Sequence, residues 1–138
     1  MTQGQFETKL QLYVSEQLAK QGIRVFNSNV IKAPELGKTI EVDQILPDHG
    51  IVIEYWHSKD TRYRAKADGT LRVRRYDKDV AKTLFYMTEG YLPFWVDQAK
   101  IHVSSRHADE LVETLIRLCE LRRFTHKELG FKGFDLVS

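Results

Sequence analysis

The first periodic signal is helical. Between residues 3 and 21, Phe6, Leu10, Tyr13, Val14 and Leu18 recur at the spacing of one helix face, and Gly22 supplies a stop. Residues 23–31 read as extended, weakened by the polar run Asn27, Ser28, Asn29. A loop at 34–37 leads to a strand at 39–46 with Ile40 and Val42 on one face, and Pro47-Asp48-His49-Gly50 is a turn. Residues 51–56 are β-rich and apolar except for Glu54, the pattern of a central strand.

Residues 61–76 read as a basic hairpin turning at Asp68-Gly69. A two-residue loop would mix charged and apolar side chains on both faces. A three-residue loop pairs Arg64 with Arg72 and Arg62 with Arg74 and gathers Tyr63, Ala65, Leu71 and Val73 opposite, so amphipathicity selects it. Residues 77–89 follow as a helix with Val80, Leu84 and Met87 on one stripe, stopped by Gly90. Short strands are expected at 91–96 and 100–103. Ser104 or Ser105 should cap a helix reaching about residue 123, with Leu111, Val112, Leu115, Ile116, Leu118 and Cys119 inward. Residues 124–138 suggest no element. The order is helix, three strands, helix, strand, helix: an α/β arrangement with a mixed sheet.

Composition narrows the setting. A chain of 138 residues, 42% hydrophobic and 29% charged, suits one globular domain spanning 1–138. No apolar run reaches the roughly 18–20 residues of a membrane span, and the N-terminus has no signal-peptide pattern. Cys119 is the only cysteine, so no internal disulfide forms, and a cytoplasmic setting is expected (or a phage protein acting in a host cytoplasm). His102, His107 and His126 lack zinc-ligand spacing with cysteine. The net charge is only +2, but Arg62, Arg64, Lys66, Arg72, Arg74, Arg75, Lys78 and Lys82 crowd one stretch, the footprint of a polyanion partner.

The candidate chemistry lies in the hairpin of residues 39–56. If residues 47–50 form its turn, Leu46 faces Ile51, Ile45 faces Val52, and Asp43 then faces Glu54. Two carboxylates with Cβ atoms about 5 Å apart repel one another, and burial adds a desolvation cost. A bridging divalent cation removes both penalties, and an all-oxygen donor set favours Mg²⁺, with Mn²⁺ a substitute. The competing arrangement pairs each carboxylate with a nearby arginine or lysine.

Asp43, a turn, and Ile51-Val52-Ile53-Glu54 resemble the signature of the PD-(D/E)XK nuclease superfamily. Glu7 in Phe-Glu-Thr-Lys-Leu resembles its early acidic helix, and Tyr76-Asp77-Lys78-Asp79 through Gly90-Tyr91-Leu92-Pro93-Phe94-Trp95-Val96 its following helix and strand. The branch most similar contains very-short-patch repair and phage or intron homing endonucleases, over residues 6–96. The resemblance implies a restriction-endonuclease-like core (α-β-β-β-α-β), here with an inserted basic hairpin and a C-terminal helix. It implies Mg²⁺-dependent cleavage of double-stranded DNA, with Asp43 and Glu54 as metal ligands and Glu7 completing the site.

One position departs from the pattern: Trp56 stands where the family lysine belongs, two residues after Glu54. His57 is the first substitute, since the repair branch uses a histidine near this place and imidazole is a suitable base near neutral pH. Lys59 and Lys82 are the others. Arg62, Arg64, Lys66, Arg72, Arg74, Arg75 and Lys78 are the DNA-contact candidates. So short a chain reading a long site would act as a homo-oligomer. The alternatives are an inactive nucleic-acid-binding module of the same fold, a structured-RNA nuclease, and a structural subunit.

Overall fold

A computed structural model describes residues 8–56, 74–98 and 101–122. Helix α1 (Lys9–Lys20) opens on a capping box: the Thr8 hydroxyl accepts from the Gln11 amide at 3.2 Å, and the Gln11 side chain accepts from the Thr8 amide at 3.3 Å. It buries Leu10, Val14 and Leu18, as the periodicity predicts. Phe6 and Glu7 lie outside the described residues.

Strands β1 (Phe26–Ala33), β2 (Lys38–Leu46) and β3 (Ile51–Trp56) form an antiparallel meander. A single 3-10 turn (Pro34–Leu36) links β1 to β2, and it closes on Gly37, whose φ of 69° suits glycine. Helix α2 (Arg74–Thr88) precedes β4 (Leu92–Asp97), which lies parallel to β3 and completes a sheet of order β1-β2-β3-β4. Helix α3 (Arg106–Leu121) is capped by Ser105, whose hydroxyl accepts from the Ala108 amide. Among the described residues the fold is thus a mixed α/β arrangement of a four-stranded sheet and three helices.

The sheet divides the core. Ile51, Ile53, Tyr55 and Leu46 pack with α1 and α3, while Val52 and Ile45 pack with Phe85 and Tyr86 of α2. Strand β3 is therefore covered on both faces, which explains its nearly unbroken apolar sequence. Side-chain alternation slips by one residue in β2, since Ile40 and Val42 share the α2-side cluster with Ile45. The slip coincides with Asp43 and, opposite it, Ser28, whose φ of 54° breaks the β1 conformation; the β1–β2 register skips this pair.

Three expectations need correction. The basic hairpin cannot extend to residue 76, because α2 begins at Arg74. The Arg62–Arg74 strand pair therefore fails: arginine forms helices readily, and Arg74 and Arg75 open the first turn of α2. Residues 57–73, with the rest of that hairpin, lie outside the described residues. The stripe Val80, Leu84 and Met87 points outward, at 38%, 60% and 62% exposure, and α2 instead turns Lys82, Phe85 and Tyr86 to the sheet. Aliphatic periodicity misleads here because the buried Glu54 selects a cationic and aromatic face. Finally, residues 101–103 form no strand: the His102 carbonyl accepts from the Ser105 amide and hydroxyl, so this segment shapes the entry to α3.

Candidate functional site

The site forms where the β2–β3 ladder ends. The paired residues are Leu46 with Ile51, Ile45 with Val52 and Gln44 with Ile53. The next step of this register sets Asp43 opposite Glu54, and there side chains take over from the ladder. The Asp43 amide donates to Glu54 Oε1 at 2.9 Å, and the Tyr55 amide donates to Asp43 Oδ2 at 2.8 Å. Each carboxylate thus accepts from the opposite strand's backbone, which fixes both groups across one strand pair.

Helix α2 closes the site from above the sheet. Lys82 Nζ donates to Glu54 Oε2, forming an ion pair, and to the Glu41 carbonyl at 2.8 Å. Tyr86, one turn on, donates its hydroxyl to the same Glu54 oxygen at 3.4 Å. Spacing i, i+4 puts lysine and tyrosine on one helix face. Trp95, the parallel partner of Glu54, donates its indole N–H to Thr83 at 3.0 Å and stacks on Trp56, ring centroids 5.3 Å apart.

Glu54 is only 3% exposed, and burial pushes its carboxyl up to about 7, reinforced by the charge of Asp43 and opposed by Lys82. Burial and the neighbouring Glu54 and Asp43 also raise the Tyr86 phenol, so it stays a proton donor. Asp43 is half-buried and Lys82 largely so. Carboxylate pKa values pushed toward neutrality by burial are common where chemistry is done.

Of the residues singled out from sequence, Asp43, Glu54 and Lys82 come together. Glu7, His57, Lys59, Arg62, Arg64, Lys66 and Arg72 lie outside the described residues, while Arg74, Arg75 and Lys78 fall within the first turns of α2. Sequence reading missed Tyr86, although its position four residues after Lys82 would have exposed it on a helical wheel drawn around Lys82. It also passed over Gln44 except to assign it the opposite face from Asp43. That assignment holds, since Gln44 bonds to Gln11 of α1.

Among the described residues no group of three or more histidine, cysteine, aspartate or glutamate side chains converges. Magnesium ordinarily takes one or two protein carboxylates and fills its octahedron with water and phosphate oxygens, so the Asp43–Glu54 pair suits it chemically. Comparison with known families and with curated proteins finds no match for the chain.

Proposed function

We propose that this chain is a Mg²⁺-dependent endodeoxyribonuclease with a restriction-endonuclease-like core, and that Asp43 and Glu54 hold its metal. The observation that carries the reading is the pair of carboxylates fixed across one strand end, with a lysine already on one of them. Such a cation would also relieve the repulsion from Asp43 that helps raise the Glu54 pKa. Bound there, Mg²⁺ supplies polarisation of a phosphate oxygen and a more acidic water.

The chain's own groups do the rest. Asp43 and Glu54 accept positive charge from fixed positions. Lys82 stands in for the missing family lysine: anchored by the Glu41 carbonyl, its ammonium sits at Glu54, where it would orient the attacking water and balance charge developing on the phosphate. This ranks Lys82 ahead of His57 and Lys59 for that role. Glu7 would support the pair, and the cationic run from Arg62 to Lys78 would neutralise the DNA backbone. Site-specific cutting of repair or homing type, by a homo-oligomer, rests on resemblance. The test is Glu54→Ala, expected to abolish Mg²⁺-dependent cleavage of duplex DNA while binding in a gel-shift assay survives; cleavage at the normal rate would reject the assignment.

The Glu54–Lys82 pair also favours a second reading, an inactive nucleic-acid-binding module, because the lysine already compensates Glu54. Calorimetric titration with Mn²⁺ separates the two: binding lost in Glu54→Ala belongs to the nuclease, and no binding in the wild type belongs to the module.

A further inference from the structure

On the face of the sheet turned away from the carboxylates, Gln44 is fully buried and uses its side chain in three directions. Its amide nitrogen donates to the Gln11 carbonyl of α1 and to Asn27 Oδ1 of β1, each at 2.8 Å. Its carbonyl oxygen accepts from the Tyr55 hydroxyl. Asn27 in turn donates to the Ser15 hydroxyl at 3.0 Å. A core that could hold leucine and phenylalanine here instead holds a directional polar network, and such networks fix geometry rather than add stability.

Its place along the chain gives that geometry a purpose. Gln44 follows Asp43 and Tyr55 follows Glu54, so each network residue is one peptide unit from a carboxylate on the other face. Tyr55 joins the two faces directly, with its amide on Asp43 and its phenol on Gln44. The brace spans β2 and β3 at the last paired position, Gln44 with Ile53, before side chains replace the ladder. We propose that Gln44 and Tyr55 are positioning residues, a cross-strand brace that sets the separation and angle of Asp43 and Glu54 for a divalent cation. This rests on the metal reading of that pair.

The experiment is Mn²⁺ binding to the full chain, by calorimetry and by the electron paramagnetic resonance of bound Mn²⁺, at a temperature where each variant is folded by circular dichroism. Tyr55→Phe keeps the ring and removes only the hydroxyl, and it should weaken Mn²⁺ binding about tenfold, the scale of losing an outer support of a ligand. Gln44→Met keeps the volume and should do the same, which covers the case where Tyr55→Phe does not fold. The double variant should bind no more weakly than Gln44→Met alone, because that substitution already removes the Gln44–Tyr55 bond. A lowered melting temperature with unchanged affinity in the folded variants would overturn the brace. Glu54→Ala run alongside tells the two failures apart: Mn²⁺ binding retained there sinks the metal reading itself, whereas binding lost there but intact in Tyr55→Phe sinks only the brace.

Discussion

The two faces of the sheet handle buried polarity in opposite ways within one pair of neighbouring residues. Toward α1, Gln44 and Tyr55 form a neutral cluster whose hydrogen bonds are made among the protein's own groups. Toward α2, Asp43 and Glu54 bring two carboxylates together, with Lys82 drawn in from another element to answer one of them. The neutral cluster is closed and directional. The charged one is costly, as the elevated Glu54 pKa records. Adjacent residues on the same strands thus divide into a part that holds shape and a part that holds charge. Costly charge set beside neutral hydrogen-bonded support is the combination that the proposed cation site would need.

The largest effect should come from removing the charge that answers Glu54. Lys82→Met leaves a buried carboxylate unpaired, and breaking such a pair costs about 3–5 kcal/mol. Urea unfolding at pH 8 should show that loss, shrinking toward pH 5 as Glu54 takes up a proton. A uniform loss across pH would mean that the charge is not what matters.

Next in size is the pH dependence of the wild type without metal. The folded pKa of Glu54 is raised from the ordinary 4.5 to about 7, so between these values the native state holds a proton that the unfolded chain has released. Stability from this group is therefore full at low pH and declines as pH rises from about 4.5 to about 7. The decline is on the order of 3 kcal/mol at most. Glu54→Gln should flatten that slope in chemical denaturation curves, and a slope that survives the substitution would assign it to another group.

The neutral face should respond less and differently. Gln44→Leu strands the Tyr55 hydroxyl and should cost about 2 kcal/mol, with little dependence on pH. Adding Tyr55→Phe removes the stranded donor and should recover part of the loss. If the double variant is far less stable than Gln44→Leu, the network is not a closed unit and the contrast between the faces fails.

The sequence carries the fold where a residue's surroundings are local. The turn of residues 47–50 and the continuous apolar run of β3 are legible because neighbours along the chain determine them, whereas the helix start expected at residue 3 missed the cap at Thr8. The Asp43–Glu54 match follows by counting from that turn. Lys82 could be named as a candidate but not placed, since 28 residues separate it from Glu54. The inward face of α2 was misread for a related reason. Periodicity ranks Val80, Leu84 and Met87 above a lysine, and only the sheet reveals that a buried acid awaits that helix. The start of α2 at Arg74 was hidden because arginine fits the end of a basic ribbon as well as a first helical turn. The Gln44 network had no local signal, as its partners come from α1, β1 and β3.

The exchanged bonds at the end of the ladder also turn two backbone amides into gauges. A hydrogen bond strengthens when its acceptor carries full charge, so the Asp43 amide proton senses whether Glu54 is ionised, and the Tyr55 amide senses Asp43. In a nitrogen-15 correlation spectrum the Asp43 amide resonance would follow the protonation of Glu54 across the strand gap. Its pH profile should have a midpoint near 7, that of Glu54, so the protonation history of this corner can be read without altering a single atom of it.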